Sequence, residues 1–362
     1  MRLAVREARR GLGRTSPNPS VGAVIVRAGR VLARGHHAQA GSPHAEVVAL
    51  RRAGPRARGA DLYTTLEPCN HWGRTPPCSL AIREAGIRRV FVGSRDPNPL
   101  VNGRGISRLR RSGIAVTTGI LRAECDELNE PWFHFITTGR PYVRLKVAAT
   151  LDGKIAARGG DSRFVTGPEA RARVHELRHQ SDAVLVGAGT ALADDPRLTA
   201  RLPRGRGRDP LRVVLDTRLS LPSRLRLFRS GSRAGTLVAF AAGREPRRRP
   251  GVEYLKCRSR GGRVDLGDLL DKLARRNVTS LLVEGGAEVS RAFLAEGLVD
   301  RLHLFLAPKV VGGDGLSWVA PPGVGRMSRA LPIVDVEWSR VGQDLLVTGR
   351  PARALARARG RG

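Results

Sequence analysis

The stretch TLEPCNHWGRTPPC, residues 65–78, decides how the first half of the chain folds and what it can bind. It begins as the end of a β-like run, places Cys69 after a proline, and reaches Cys78 after eight intervening residues, at the start of a helix-like run. Upstream, the motif SPHAE sets His44 and Glu46 just after a proline and before an apolar-periodic stretch. This order is typical of a helix N-terminus, so we expect His44 and Glu46 in the first turn of a helix.

These two motifs together predict a metal centre. One imidazole and two thiolates fill three corners of a tetrahedral Zn²⁺ site, and catalytic zinc sites leave the fourth corner for water. We therefore predict that His44, Cys69 and Cys78 bind zinc, with helix N-termini favouring the thiolate forms of both cysteines. Glu46 is not a ligand in this prediction; its carboxylate is placed to take a proton from the water and pass it to a leaving amine.

The same residues have other interpretations besides a zinc site. Two cysteines alone are more often buried thiols, and His71, which lies between them, is a competing ligand. His-x-Glu upstream and Pro68 before the first cysteine match the signature of zinc nucleobase deaminases, although that signature separates its cysteines by two residues. The sequence therefore favours hydrolytic deamination, with His71 lining the pocket.

Short apolar runs alternate with helical patterns through the first part of the chain, which is typical of an α/β fold. A helix is predicted over residues 121–137, and the residues GRP at 139–141 combine a glycine and a proline that would end it. We place a domain boundary there, so that the first domain covers residues 1–139. The predicted strands lie at residues 21–26, 31–34, 61–65, 90–92 and 115–118.

The alternation restarts after this boundary and predicts a second α/β domain at residues 140–350. Loops are expected at residues 203–209 and 244–250, where Arg, Gly and Pro occur without periodicity. The tail at residues 351–362 has too little apolar surface to order itself and is expected to be disordered. The predicted strands lie at residues 142–149, 183–187, 211–216, 236–240, 281–284 and 302–306, and one helix face is predicted at Leu266, Leu269, Leu270 and Leu273.

Length and composition narrow the class of protein. A chain of 362 residues exceeds what one hydrophobic core usually holds. No run approaches the roughly 20 apolar residues of a membrane span, and residues 1–7 lack the apolar block of a signal peptide. Four cysteines, of which Cys125 and Cys257 stand alone, argue against a disulfide framework and for a reducing compartment. We expect a cytoplasmic protein that does not contact a membrane.

The net charge of +32 raises nucleic acid as a partner, because such a surface attracts polyanions. Single-strand binding also needs stacking aromatics beside the charge, and aromatic residues make up only 4% of this chain. A solvated, arginine-biased surface is therefore favoured over specific nucleic-acid binding. Phosphorylated small substrates fit the charge equally well.

The second domain shows two glycine turns after predicted strands, GAGT at residues 187–190 and EGGA at residues 284–287, but no complete GxGxxG. Turns of this kind bring backbone N–H groups close to phosphate at helix N-termini. Tight packing would explain the glycines about as well. Lys146 and Glu284 stand at strand positions where α/β proteins place ligands, and they are candidates for proton transfer. The alternative is a strand-edge lysine and a strand-end carboxylate.

Residues 65–78, with the motifs PNPSVG at 17–22 and DPNP at 96–99, closely resemble the deaminase half of the bifunctional riboflavin-biosynthesis deaminase/reductase family. The motifs KVAATLDGK at 146–154 and LADDP at 192–196 resemble its reductase half. The resemblance implies a cytidine-deaminase-like three-layer domain followed by a dihydrofolate-reductase-like domain. It also implies zinc-dependent deamination of 2,5-diamino-6-ribosylamino-4(3H)-pyrimidinone 5′-phosphate, then NADPH-dependent reduction to 5-amino-6-ribitylamino-uracil 5′-phosphate.

The same resemblance implies roles for individual residues. Asn18 and His37 would hold the pyrimidine, and Arg74 would lie near the substrate phosphate. In the second domain, the residues implied to bind the substrate are Ser162, Arg178, Leu198, Arg201 and Glu284. The residues implied to bind NADPH are Ala148, Phe164, Thr190, Asp194, Thr217, Gly286, Ala287, Glu288, Val289, Ser290, Arg291 and Ala292. At Phe164 the family often has tryptophan, and phenylalanine still offers a flat face to the cofactor.

Two rival functions remain at this point. The first is a zinc deaminase of nucleosides or nucleic acid with a basic surface, which leaves the second domain without a role. The second is an active deaminase whose reductase-like domain is only a scaffold. The family resemblance also implies a homo-oligomer.

Overall fold

The structure is a computed structural model that describes residues 1–72, 76–205, 207–229, 234–242, 246 and 249–352. It divides into two compact units, Met1–Arg140 and Pro141–Gly362. The predicted disordered tail lies outside the described residues except for its first two positions, and the predicted loop at 244–250 lies mostly outside them.

The first unit is built from helices and strands in alternation. Its helices are α1 (Arg2–Arg9), α2 (Ala45–Ala53), α3 (Cys78–Glu84), α4 (Arg104–Arg111), α5 (Arg122–Leu128) and α6 (Glu130–Thr138). Its strands are β1 (Gly22–Arg27), β2 (Arg30–His36), β3 (Asp61–Leu66), β4 (Arg89–Ser94) and β5 (Ala115–Thr118). All five predicted strands are confirmed, with some ends shifted by a few residues.

Within the described residues these strands form one sheet in the order β2-β1-β3-β4-β5. β1 pairs antiparallel with β2 and β3, whereas β3, β4 and β5 run parallel. The larger apolar core joins the sheet to α2 and includes Ile25, Leu62 and Val90. A smaller core of α1 and α5, with Val5 and Leu128, covers the other face, which gives three layers.

Glycines let the helices approach this sheet closely. A Cβ atom on Gly22 would lie 2.0 Å from the carbonyl oxygen of Ala4 in α1. A Cβ atom on Gly35 would lie 2.3 Å from the carbonyl oxygen of Ala45, at the start of α2. Because His44 directly precedes α2, the second contact fixes the height of the predicted metal ligand above the sheet.

The prediction of one helix over residues 121–137 is wrong, because the structure has two. Helix α5 ends at Leu128, Asn129 leaves helical geometry with φ −120°, and α6 begins at Glu130 with Pro131 in its first turn. The Asn129 side chain accepts a hydrogen bond from the Ser20 backbone N–H at 2.8 Å and donates one to the Ser20 carbonyl at 3.1 Å. Proline at the start of a new helix and these tertiary bonds together break the continuous pattern.

The second unit is built around a larger sheet. Its helices are α7 (Pro168–His179), α8 (Ala188–Asp194), α9 (Arg226–Arg229), α10 (Leu266–Ala274) and α11 (Ala287–Ala295). Its strands are β6 (Tyr142–Thr150), β7 (Lys154–Ala156), β8 (Ala183–Gly187), β9 (Leu211–Leu215), β10 (Thr236–Phe240), β11 (Val252–Lys256), β12 (Ser259–Arg260), β13 (Arg263–Val264), β14 (Ser280–Val283), β15 (Arg301–Ala307), β16 (Leu316–Ser317), β17 (Ile333–Val341) and β18 (Asp344–Pro351).

In the part of the chain that the structure describes, nine of these strands form a sheet in the order β11-β10-β9-β8-β14-β6-β15-β18-β17. Its pairs are parallel from β11 to β15, and β18 and β17 are added antiparallel. Leu269 and Phe293 belong to a core on one face, and Val174 and Phe305 belong to a core on the other. The predicted face of α10 is confirmed, since its four leucines are buried.

The six predicted strands of this unit are confirmed as β6, β8, β9, β10, β14 and β15. The sequence did not predict the short pairs β12–β13 and β16–β7, the edge strand β11 or the hairpin β17–β18. Most of these segments are half-exposed or only two residues long, so they lack a long apolar run. No helix among the described residues has the length and apolar character to span a membrane.

We expect Gly35→Ala to lower the free energy of unfolding by about 1–3 kcal/mol, because the added methyl group forces α2 away from the sheet. The same displacement should reduce the zinc content of the purified chain. Urea unfolding and metal analysis measure the two effects. Val31→Ala, on an exposed position of the same strand, is the control and should change the stability by less than about 0.5 kcal/mol. An unchanged stability of Gly35→Ala would contradict the close approach of α2.

Candidate functional site

The structure brings the three predicted zinc ligands of the first unit together. His44 is the N-cap residue of α2, Cys69 lies in the loop after β3, and Cys78 is the first residue of α3. The His44 Nδ1 atom lies 2.9 Å from Cys78 Sγ and 3.6 Å from Cys69 Sγ, and one ligand atom from each residue lies within 4.8 Å of the others. An imidazole and two thiols at this spacing fit a zinc ion.

The pKa values of the two thiols in this cluster shift in opposite directions. Hydrogen bonding to Cys78 lowers the pKa of Cys69 to about 4, while the pKa of the more deeply buried Cys78 is raised by the same contact and by its burial. The hydrogen bond to Cys69 raises the pKa of His44. Cys69 does not stand at a helix N-terminus as we expected, but its Sγ atom accepts the backbone N–H of Cys78, at the start of α3, at 3.3 Å. The helix therefore stabilises this thiolate from a neighbouring element.

Glu46 lies beside the cluster in the first turn of α2 and is only 3% exposed. Thr64 Oγ1 donates a hydrogen bond to Glu46 Oε1 at 3.3 Å. Burial raises the pKa of this carboxyl group. A carboxylate whose pKa is raised accepts and releases a proton more readily near neutral pH, which suits it to general acid–base catalysis.

Asn18 and His37 meet next to the metal cluster. Asn18 Nδ2 lies 3.2 Å from His37 Nε2, His37 Nδ1 lies 3.2 Å from the Pro43 carbonyl oxygen, and the His37 ring stands edge-on to the His44 ring at 5.5 Å. Burial lowers the pKa of His37, so its imidazole is neutral and donates from Nδ1 while Nε2 accepts. The amide of Asn18 and this imidazole are thus oriented beside the metal centre. Arg74 lies outside the described residues.

Sequence reasoning missed other residues near this centre. The Glu67 carboxylate accepts the backbone N–H groups of Gly103, Gly105 and Ile106 at 3.0–3.2 Å and so anchors the loop before Cys69. Asp96 is buried, and its burial raises its pKa to about 6. The motif that contains Asp96 was recognised in the sequence, but no role was assigned to it.

His71 does not belong to the cluster of His44, Cys69 and Cys78. It is half-buried, and its Nδ1 atom is buried without a hydrogen-bond partner among the described residues.

The second unit contains a cavity of about 1000 Å³. It opens beside the end of β8, the segment after β14, and the first turns of α8 and α11, which is where parallel α/β sheets place ligands. The predicted site residues that line it are Lys146, Ala148, Ser162, Phe164, Arg178, Thr190, Asp194, Arg201, Glu284, Gly286, Ala287, Glu288, Val289 and Ser290.

Four of the predicted residues do not line this cavity. Leu198 is 2% exposed and lies in the core. Thr217 follows β9, and its carbonyl oxygen accepts the backbone N–H groups of residues 241 and 242. Arg291 and Ala292 lie in the second turn of α11, beyond the residues of that helix that face the cavity.

Three charged side chains inside the cavity form one network. Arg178 Nε and Nη2 donate to the two oxygens of Glu284 at 2.6 and 2.9 Å, and Lys146 Nζ lies 3.8 Å from Glu284 Oε2. Burial works to raise the pKa of Glu284, but Arg178 and Lys146 together bring it down to about 2. Burial lowers the pKa of Lys146. Glu284 is therefore an anion at neutral pH, and Lys146 is the member of the pair that can release a proton.

The glycine turn before α11 fits the phosphate groups of a dinucleotide. Gly286 is the N-cap residue of α11, and the first N–H groups of a helix have no partner within it. A Cβ atom on Gly285 would lie 2.5 Å from Val289, and one on Gly286 would lie 3.1 Å from Thr190 Oγ1. Packing therefore requires glycine at residue 285, and this does not exclude a role of the turn in binding phosphate.

Further cavity residues were not identified from the sequence. Arg171 stacks on the Phe164 ring, with its Cζ atom 4.4 Å from the ring centroid, and His175 and Trp318 also line the cavity. His175 stands one helical turn before Arg178 in α7. Helical spacing from Arg178 would have placed it on the same face, but no helix was predicted there.

Comparison with known proteins gives each unit a relative. The family model for the cytidine and deoxycytidylate deaminase zinc-binding region matches residues 1–94, and the model for the RibD C-terminal domain matches residues 141–347. The riboflavin biosynthesis protein RibD of Actinobacillus pleuropneumoniae is 44% identical over 352 residues, which covers 96% of this chain and 93% of that protein. RibD of Escherichia coli K12 is 39% identical over 358 residues, covering 95% and 96%.

Solved structures agree with these sequence relatives. Acinetobacter baumannii RibD superposes with a TM-score of 0.87 at 37% identity, covering 97% of both chains. A Thermotoga maritima protein described as a diaminohydroxyphosphoribosylaminopyrimidine deaminase/5-amino-6-(5-phosphoribosylamino)uracil reductase superposes with a TM-score of 0.86 at 40% identity, again covering 97% of both. The predicted cytidine-deaminase-like and dihydrofolate-reductase-like folds are thereby confirmed. Because the likeness extends through both units and nearly the full length of the relatives, the chain belongs to the RibD family of zinc-dependent deaminases and reductases that act in riboflavin biosynthesis.

Proposed function

We propose that the first unit hydrolyses the 2-amino group of 2,5-diamino-6-ribosylamino-4(3H)-pyrimidinone 5′-phosphate, and that the second unit reduces the ribosyl side chain of the product with NADPH. The observation that carries the proposal is the cluster of His44, Cys69 and Cys78 beside a buried glutamate, in a chain that also has a reductase unit. The Thermotoga maritima relative is described by the same two activities in the same order.

In the first unit, His44, Cys69 and Cys78 would hold the zinc ion. When bound, zinc supplies a Lewis acid that lowers the pKa of water to near neutrality. Glu46 takes up a proton and delivers it to the departing amine, which leaves as ammonia. Asn18 and His37, fixed by their mutual hydrogen bond, orient the pyrimidine ring. Arg74 is proposed to bind the substrate phosphate on the family resemblance alone.

In the second unit, the turn before α11 would hold the cofactor phosphates. When bound, NADPH supplies the hydride for the reduction. Reduction of the ring-opened, imine-like C1′ takes up a hydride at carbon and a proton at nitrogen. Lys146 provides this proton, since burial lowers its pKa, while Glu284 stays ionised and holds the ammonium in place. The charged network inside the cavity argues against a reductase unit that is only a scaffold.

The remaining cavity residues are assigned by their placement. Ser162, Arg178, Arg201 and Glu284 are proposed to bind the substrate, and Ala148, Phe164, Thr190, Asp194 and residues 286–290 to bind NADPH. Leu198, Thr217, Arg291 and Ala292 are proposed as outer contacts on the resemblance, since the cavity described here does not reach them.

The chain is further proposed to form a homo-oligomer in the cytoplasm. The edge strand β17 exposes Val336 and Trp338 on one face, and the Trp338 side chain is 78% exposed, which is typical of an apolar contact surface. Four free cysteines, two of them metal ligands in this proposal, suit a reducing compartment. Light scattering after size-exclusion chromatography measures the oligomeric state.

Removing the metal separates the two activities. Treatment with a chelator should abolish deamination and leave the NADPH-dependent reduction of the deaminated substrate unchanged, because every ligand lies in the first unit. Ammonia release and NADPH absorbance measure the two reactions, and added Zn²⁺ should restore the first. Deamination that survives complete removal of zinc would exclude the proposed mechanism.

Glu46→Gln should lower the kcat of deamination by about 10²–10⁴-fold, because the amide cannot transfer the proton. Its zinc content and its reduction rate should match those of the wild type. Glu84→Gln, at an exposed position of α3, is the matched control and should retain full activity in both reactions. A Glu46→Gln variant that deaminates within tenfold of the wild-type rate would assign proton transfer to another group.

Lys146→Met should lower the kcat of reduction by about 10²–10⁴-fold while NADPH still binds. In the wild type, the protonated form of Lys146 is active and its pKa is lowered, so reduction should decline with rising pH below the range usual for lysine. Initial rates across a pH series test this. Lys256→Met, at an exposed position of β11, is the control. A wild-type profile that stays flat up to the ordinary pKa of lysine would contradict the assignment.

A further inference from the structure

His175 holds a segment of the reductase cavity through a single ring nitrogen. It lies on α7, and its Nδ1 atom is 3.1 Å from the Thr199 carbonyl oxygen and 3.3 Å from the Arg201 backbone nitrogen. Arg178, one turn further along the helix, donates from Nη1 to the same Thr199 carbonyl at 3.2 Å. The segment 199–201 is therefore attached to α7 at two adjacent side chains.

These contacts determine which nitrogen of His175 carries the proton. Burial and the charges of Arg178 and Arg201 lower the pKa of His175, so its imidazole is neutral and has one N–H group. Thr199 already accepts a hydrogen bond from Arg178, whereas the Arg201 backbone N–H has no other acceptor among the described residues. The Arg201 N–H is directed at Nδ1, which can accept it only when unprotonated, so Nδ1 accepts from Arg201 and Nε2 bears the hydrogen. Within the described residues that Nε2–H has no protein acceptor, and His175 lines the cavity.

An unbalanced positive charge lies next to this donor. Arg201 lines the same cavity, and within the described residues it has no carboxylate within 4 Å. Its pKa is lowered by burial and by the neighbouring guanidinium groups of Arg178 and Arg197, and Asp209 offsets this only from beyond ion-pair distance. Arg178 is neutralised by Glu284, so Arg201 is left with an excess of positive charge around it. A bound anion would relieve that repulsion.

We propose that His175 is a substrate-binding residue that donates a hydrogen bond from Nε2 to a phosphate oxygen of the reductase substrate, beside the Arg201 guanidinium. This inference rests on the proposed function of the second unit. The substrate phosphate is favoured over a cofactor phosphate because His175 contacts the 199–201 segment, whereas the glycine turn before α11 forms the proposed cradle for NADPH.

Two substitutions separate the two hydrogen-bonding roles of the His175 imidazole, which accepts at Nδ1 and donates at Nε2. His175→Asn keeps an oxygen close to the position of Nδ1, which can accept the Arg201 N–H, but removes the donor at Nε2. His175→Gln keeps an amide N–H that reaches the position of Nε2. His175→Asn should raise the KM for the phosphorylated pyrimidine about 10–100-fold, with the KM for NADPH and the deamination rate unchanged. His175→Gln should recover most of that loss.

The matched control is His179→Asn. His179 lies on the same helix and its Nδ1 atom likewise accepts a backbone N–H, from Arg208 at 3.0 Å, but it does not line the cavity. This variant should leave the KM for the substrate within twofold of the wild-type value. A rise equal to that of His175→Asn would show that replacing any loop-contacting imidazole of this helix is sufficient, and would overturn the proposal.

A substrate without its phosphate identifies the atom that His175 contacts. The wild type should have a higher KM for the dephosphorylated pyrimidine, and His175→Asn should raise it no further. If His175→Asn raises both KM values equally, or raises the KM for NADPH instead, the phosphate assignment is wrong. If the wild type does not reduce the deaminated substrate at all, the proposed function itself fails. If the wild type reduces the substrate and His175→Asn has the same KM as the wild type, only the proposed role of His175 is rejected.

Discussion

The carboxylate of Glu67 is the contact on which the metal centre depends. It accepts three backbone N–H groups at the start of α4, two residues before Cys69, and Gly105 of that helix packs so closely on the Pro68 carbonyl that a Cβ atom would lie 1.9 Å from it. The loop that carries Cys69 is thus fixed between two helices, since α3 also donates a backbone N–H to the Cys69 sulfur. Metal ligands drawn from separate elements must be held in position before the ion binds, because disorder at any one of them weakens binding.

In the second unit, paired charges rather than a metal hold side chains from separate elements together. Glu284, Arg178 and Lys146 come from the segment after β14, from α7 and from β6, so their network joins three elements around the cavity. A buried carboxylate without partners would take up a proton, but two cations keep this one ionised. Lys146 keeps a lowered pKa within this network, because burial and the charge of Arg178 outweigh the carboxylates of Glu284 and Asp194. Burial of the network, and not the pairing itself, therefore prepares Lys146 for proton transfer.

The sequence predicted those site residues whose positions are determined by neighbouring residues in the chain. His44, Glu46 and Cys78 lie at the starts of helices as expected, because a preceding proline and an apolar period determine those positions. Contacts between distant segments could not be predicted in this way. The break at Asn129 depends on hydrogen bonds to Ser20, more than a hundred residues away, and the orientation of His175 depends on the segment 199–201. Local pattern gives no information about such partners.

The excess of 32 positive charges acts differently at the surface and inside the cavity. Charges exposed to solvent are screened within about 8–10 Å at physiological salt, so scattered arginines can attract an anionic substrate but cannot orient it. Arg201, which lines the cavity without an acidic partner within 4 Å among the described residues, is instead placed to contact a bound anion directly. In the proposed function, the few groups that line the cavity would therefore hold the substrate phosphate. The remaining surface charge need not contact the substrate, which fits the preference for a solvated, arginine-biased surface over specific nucleic-acid binding.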